Sequence, residues 1–151
     1  MAQSLARLWT HLIFSTKGRF PFLNDKVLRR EMHAYLAEML RKHDCETLIV
    51  GGVEDHVHSL FALSRKHAIA SVIKEVKRAS SGWIKKTSPK LSKFHWQGGY
   101  AAFSVSQSNL TEVIRYIENQ EEHNRRVTFQ HEYRAFLNAY GIEFDERYVW
   151  D

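Results

Sequence analysis

The sequence predicts an α+β fold of the ferredoxin-like, RRM-like kind, a βαββαβ sandwich with an extra C-terminal tyrosine-bearing helix. Three observations predict it. Four short runs rich in β-branched and aromatic residues and two amphipathic stretches follow one another in the order β-α-β-β-α-β. The second and third runs are joined through Gly51-Gly52 and Glu54-Asp55, which is short enough to demand an antiparallel hairpin. A further apolar stripe of helical period, with a tyrosine on its flank, comes after the fourth run. In the split β-α-β plan both crossing helices share one sheet face and leave the other for ligands. Such a scaffold serves many functions, so the function has to be read from its side chains.

Leu5 to Thr16 places Leu8, Thr10, Leu12 and Phe14 on one side and Trp9, His11, Ile13 and Ser15 on the other, a strand covered on both faces. His11 reads as a strand residue near a groove. Asn24 or Asp25 can cap a helix whose apolar positions Leu28, Met32, Tyr35, Leu36, Met39 and Leu40 step by three and four. Cys45 to Val53 and His56 to Ser64 form the hairpin. A second helix carries Ile69, Val72, Ile73, Val76, Ala79, Trp83 and Ile84 inward and ends before Ser88-Pro89. Ser88 to Gly99 is a basic loop in which Phe94, His95 and Trp96 either stack unpaired bases or close a small core. Tyr100 to Val105 is the fourth strand. Ser108 or Asn109 caps the next helix, Leu110 to Glu122 within about residues 108–123, and the polar stretch Glu121 to Arg126 offers a hinge. Residues 128–151 hold a last helix, stopped by Gly141, and an acidic aromatic tail that reads as docking surface without chemistry.

A length of 151 residues fits one domain, 1–151, able to bury a core. No apolar run reaches the length of a membrane span, and Met1 to Thr16 lacks the pattern of a secretory leader, so the expected place is the cytoplasm, at the nucleoid when acting. Cys45 is the single cysteine, which excludes an intrachain disulfide and a thiolate zinc cluster. A net charge of +5 favours a polyanionic partner. The densest basic surface is the outer side of the second helix, with Lys74, Lys77, Arg78, Lys85 and Lys86 against Glu75, read either as a phosphate contact or as a solvated face.

His56 and His58 flank Val57 on a strand, so both imidazoles leave the same sheet face. They are either two satisfied histidines or two adjacent coordination positions for a divalent ion, and Asp55 either orients one of them or serves the turn. Tyr116 and Gln120 lie one helical turn apart on the flank of their stripe, where a hydroxyl stays free and an amide oxygen could complete a metal shell. His123 stands one further turn along and reads as solvated.

Taken together these features resemble the single-tyrosine HUH transposases of bacterial insertion sequences, the small enzymes of the insertion-sequence 200/605 type that include the repeat-associated tyrosine transposases. The resemblance runs from His11-Leu12-Ile13-Phe14-Ser15-Thr16-Lys17 through Asp55-His56-Val57-His58, the Phe94 to Tyr100 loop and Tyr116-Ile117-Glu118-Asn119-Gln120-Glu121-Glu122-His123 to the Glu143 to Asp151 tail. Asn124 departs from it, since many relatives carry a second histidine there. The resemblance implies that His56, His58 and Gln120 hold Mg2+ or Mn2+, three neutral ligands that leave the ion its double charge. It further implies that Tyr116 attacks single-stranded DNA near hairpin ends to leave a 5′-phosphotyrosine. It implies a homodimer in which the His pair of one subunit faces the Tyr helix of the other, with neither membrane nor small-molecule cofactor. Two rivals follow from the same residues: a domesticated nuclease acting on repeated genomic hairpins, and a non-catalytic module that binds single-stranded nucleic acid.

Overall fold

The structure is a computed structural model that describes residues 1–151, and it has the expected architecture. A four-stranded antiparallel sheet runs in the order β2-β3-β1-β4, built from β1 (Trp9–Ser15), β2 (Glu46–Gly52), β3 (His56–Ala62) and β4 (Ala101–Ser104). Helices α1 (Lys26–Lys42) and α2 (Ile69–Thr87) cross one face. β1 is shorter than its apolar pattern, because its ladder partners run out at Ala62 and Ser104 and Leu5 and Leu8 are left in solvent.

The face beneath α1 and α2 carries the larger core. Leu12, Phe14, Val57 and Phe61 from the sheet meet Met32, Leu36 and Leu40 of α1 and Val72, Ile73, Val76 and Ile84 of α2. Burying such side chains is worth about 1.5–3 kcal/mol each, which makes this layer the main source of stability. Asp25 starts α1 by accepting from the amides of Val27 and Leu28 at 2.9 and 3.1 Å. The loop after α2 closes this core: Phe94 and Trp96 are buried, and the indole donates to Ser80 Oγ at 2.9 Å. Its aromatics are therefore a lid and present no stacking platform, although His95 stays exposed.

The opposite face is not left open. α3 (Leu110–Glu118) lies across β2, α4 (Gln120–Arg126) follows it, and α5 (Phe129–Ala139) packs Phe129, Tyr133 and Leu137 on Ile13, Ala101 and Phe103. The single helix expected over Leu110 to Glu122 is thus two, and the hinge expected at Glu121 to Arg126 is itself helical. The reason is local. Glu122 pairs with Arg125 and Arg126 at 3.0 and 3.2 Å along one helix face, while the break falls at Asn119.

Gly51 lets α3 come this close. A Cβ there would stand 2.9 Å from Ile117 Cγ2 and 3.1 Å from the Ile117 carbonyl oxygen. Thr128 Oγ1 caps α5 by accepting from the His131 amide, and Gly141, at φ 65°, ends it. The tail then returns to the sheet end, where the Gly99 amide donates to Asp151 O and Gln97 Nε2 to Val149 O. The Arg19 and Arg134 guanidiniums both lie over the Trp150 ring, so the tail does dock.

Candidate metal centre and tyrosine

β3 points His56, His58 and Leu60 at the face covered by α3 to α5, and Val57 and Phe61 at the other. Both imidazoles are buried, at 1% and 0% exposure. Each has its Nδ1 occupied. His56 Nδ1 lies 2.7 Å from Asp55 Oδ1, and His58 Nδ1 lies 2.8 Å from Nε2 of His11, which β1 aims from the same face. Asp55 thus has the orienting role that turn chemistry left open.

The two Nε2 atoms converge. Gln120 Oε1 stands 3.2 Å from His56 Nε2, and Glu132 Oε1 stands 2.9 Å from His58 Nε2 and 3.7 Å from His56 Nε2. One ligand atom from each of His56, His58 and Glu132 falls within 4.8 Å of the others. With the His56 Nδ1 proton donated to Asp55, its Nε2 lone pair faces only the oxygens of Gln120 and Glu132. Acceptors that face acceptors in a buried site are relieved by a cation between them, so the donor set fits a divalent ion.

Beside the three neutral ligands expected from the sequence, Glu132 brings a negative charge into the cluster. Burial pushes Glu132 up, but the hydrogen bonds from His58 and Tyr116 and the field of the two imidazoles outweigh it and hold the carboxyl at about 2. Burial in turn pushes His58 down, and His11 down to about 3, so both are neutral at pH 7.

Tyr116 completes the site. Its hydroxyl donates to Glu132 Oε2 and lies 3.2 Å from His123 Nε2, and its ring centre is 5.7 Å from that of His58 in the same chain. Burial, then the Glu132 charge and hydrogen bond, raise its pKa and hold the phenol protonated. The solvated reading of His123 is corrected too: its side chain is two-thirds covered and its Nε2 is 2.9 Å from Glu132 Oε2.

Glu132 and His11 are the residues that sequence reasoning did not place here. A signal for Glu132 existed. It lies among Phe129, Tyr133 and Phe136 at helical spacing, and a carboxylate on an apolar stripe needs a partner. Residues 128–151, expected only to dock, thus bring one carboxylate into the cluster.

The basic helix belongs elsewhere. Lys74, Arg78 and Lys86 are exposed and Lys85 is half-buried on α2, across the sheet from the histidines. Lys77 is turned inward. Its ammonium donates to the carbonyls of Gln97 and Gly99 at 2.8 and 2.6 Å above the Phe14 ring, and burial brings it down to about 8.

With this geometry in hand, known proteins were compared with the chain. The family described as "Transposase IS200 like" matches residues 4–120. The ISDra2 transposase TnpA of Deinococcus radiodurans is 26% identical over 117 residues, 74% of this chain and 83% of that protein. The crystal structure of a Deinococcus radiodurans R1 protein assigned as a transposase superposes with a TM-score of 0.64 at 26% identity, covering 80% of this chain and 95% of that one. The structure of a REP-associated tyrosine transposase bound to a REP hairpin has a TM-score of 0.54 at 11% identity, covering 83% and 72%, which is a likeness of fold. No helix of the chain is long and apolar enough to cross a membrane.

Proposed function

This chain belongs to the IS200-like transposase family, and from that premise we propose that it cuts and rejoins single-stranded DNA through Tyr116. The observation that carries the reading is the contact of the Tyr116 hydroxyl with Glu132, whose other oxygen reaches the His58 Nε2 beside His56. A nucleophile and a cation site share one carboxylate.

His56, His58 and Gln120, with Glu132 beside them, would hold Mg2+ or Mn2+. When bound, such an ion polarises a phosphate and offsets the Glu132 charge that keeps the phenol protonated. The protein's own groups do the rest. Asp55 and His11 fix the imidazoles, and Glu132 Oε2, with His123 against it, takes the tyrosine proton. The Tyr116 oxygen forms a bond to phosphorus, the bond to the 3′ oxygen breaks, the departing oxygen takes up the proton that Glu132 accepted from Tyr116, and a 5′-phosphotyrosine and a 3′-hydroxyl remain. Because the link keeps the phosphodiester's energy, another 3′-hydroxyl can reverse the step and join new ends.

One tyrosine makes one link, so moving two ends needs two chains, and we take a homodimer as the working form. The relative seen with a REP hairpin supports hairpin-flanked single strands as the partner. The test uses single-stranded DNA from the flanks of the protein's own gene with Mn2+ or Mg2+. The expected product is a covalent adduct on Tyr116, absent in Tyr116→Phe and with chelator. Tight binding without an adduct on any flank would instead support the binding module.

A further inference from the structure

A cavity of about 280 Å3 opens between the start of α3, the end of β4 and the last turns of α5, with Tyr116 and His11 in its wall. Phe136 and Tyr140 add two more rings, and Asn109 and Glu112 supply polar edges. No lysine or arginine lines it, and Glu112 is its one charged side chain. That chemistry repels a phosphate. It suits a neutral planar ring, which gains from stacking on aromatic faces and finds an acceptor for its amino hydrogens. The volume lies just under the roughly 300 Å3 at which pockets for drug-sized molecules begin, so one unpaired base fits better than a pair.

The position is as telling as the lining. The Tyr116 ring walls the cavity while its hydroxyl turns to Glu132 and His123. A strand that presents a phosphate to that hydroxyl carries a neighbouring nucleoside alongside the ring. We propose that this cavity receives the base next to the scissile phosphate and selects one with an exocyclic amine, accepted by Glu112, over thymine. The inference rests on the tyrosine-nuclease reading above and adds to it a contact that specifies sequence.

The experiment presents a single-stranded DNA pool of randomised sequence to the full chain with Mn2+, then sequences both fragments at each cut. The expected result is about tenfold discrimination against thymine at one position flanking the cut, reduced to about twofold or less in Glu112→Ala. Asn109→Ala is expected to flatten the same position and no other. Glu112 and Asn109 are exposed, so both variants should fold and still form adducts. Adducts whose flanking positions are unbiased, or whose bias survives Glu112→Ala, overturn the inference alone. No adduct from any sequence overturns the nuclease reading and this inference with it.

Discussion

At the scale of single residues the site is a set of neutral and charged groups held in fixed states by burial. His11 and His58 have folded pKa values below the ordinary 6.5, because burial disfavours their charged forms. The unfolded chain therefore takes up protons that the folded one refuses, and stability present above pH 6.5 is lost as the pH falls, for His11 down to about 3. The expected outcome is a steeper loss of melting temperature from pH 7 to 5.5 in the metal-free wild type than in His11→Asn; an equal slope would mean His11 is charged when folded. Glu132 works lower, since a carboxyl held at about 2 lends stability above its unfolded value that fades as pH approaches 2. In the proposed reaction its larger role is to join the tyrosine to the cation site. Glu132→Gln keeps the shape and removes the charge, and Mn2+ affinity read by calorimetry should fall at least as far as the roughly 10- to 100-fold typical of changes behind metal ligands. An unchanged affinity would leave Gln120 as the third ligand and Glu132 with the tyrosine alone.

At the scale of elements, what was legible in the sequence was what repeats locally. The period of two in β3 placed His56 and His58 together, and the turn spacing placed Gln120 behind Tyr116, because both follow from backbone geometry. The approach of α5 to β3 joins residues 58 and 132 through tertiary packing, which no local period encodes. Lys77 was misplaced for the same reason, since its partners are carbonyls of a loop twenty residues on. The break at Asn119 was hidden because the residues on either side favour helix equally. Gly51 ties these elements to the chemistry. It pairs with His58 across the hairpin and supports Ile117, so the depth at which α3 sits is set beside the site itself. Gly51→Val is expected to lift α3 at a cost of about 1–3 kcal/mol, with faster amide exchange over residues 110–126 and loss of the tyrosine adduct. Unaltered exchange there would show that α3 does not depend on this contact. His56, His58, Gln120 and Glu132 are all buried beneath α3 to α5, so the placing of these helices decides what reaches them. Arg29, buried on α1 and bonded to Glu121 Oε1 at 3.2 Å, ties α4 to α1.

For the whole molecule the sheet separates two tasks. One face, under α3 to α5, holds the histidines, the tyrosine and the acidic carboxylate; the other, under α1 and α2, carries the exposed cations Lys74, Arg78 and Lys86. A net charge of +5 favours a polyanionic partner, but it is the location of these cations that decides how they act on one. Since they lie across the sheet from Tyr116, they can hold DNA without touching the reacting phosphate. Neutralising Lys74, Arg78 and Lys86 together to alanine should therefore weaken single-strand binding and lower the slope of log affinity against log salt by about 2, at about 0.7 per lost phosphate contact. The rate of adduct formation at saturating DNA should stay as it was, which separates this surface from the site. Lys77→Ala makes the control, because that ammonium ties the loop to the core: it should lower the melting temperature and leave the salt slope unchanged. A triple variant whose salt slope matches the wild type would move the DNA path off α2, and a triple variant that binds normally but cuts slowly would place these cations at the reacting phosphate after all.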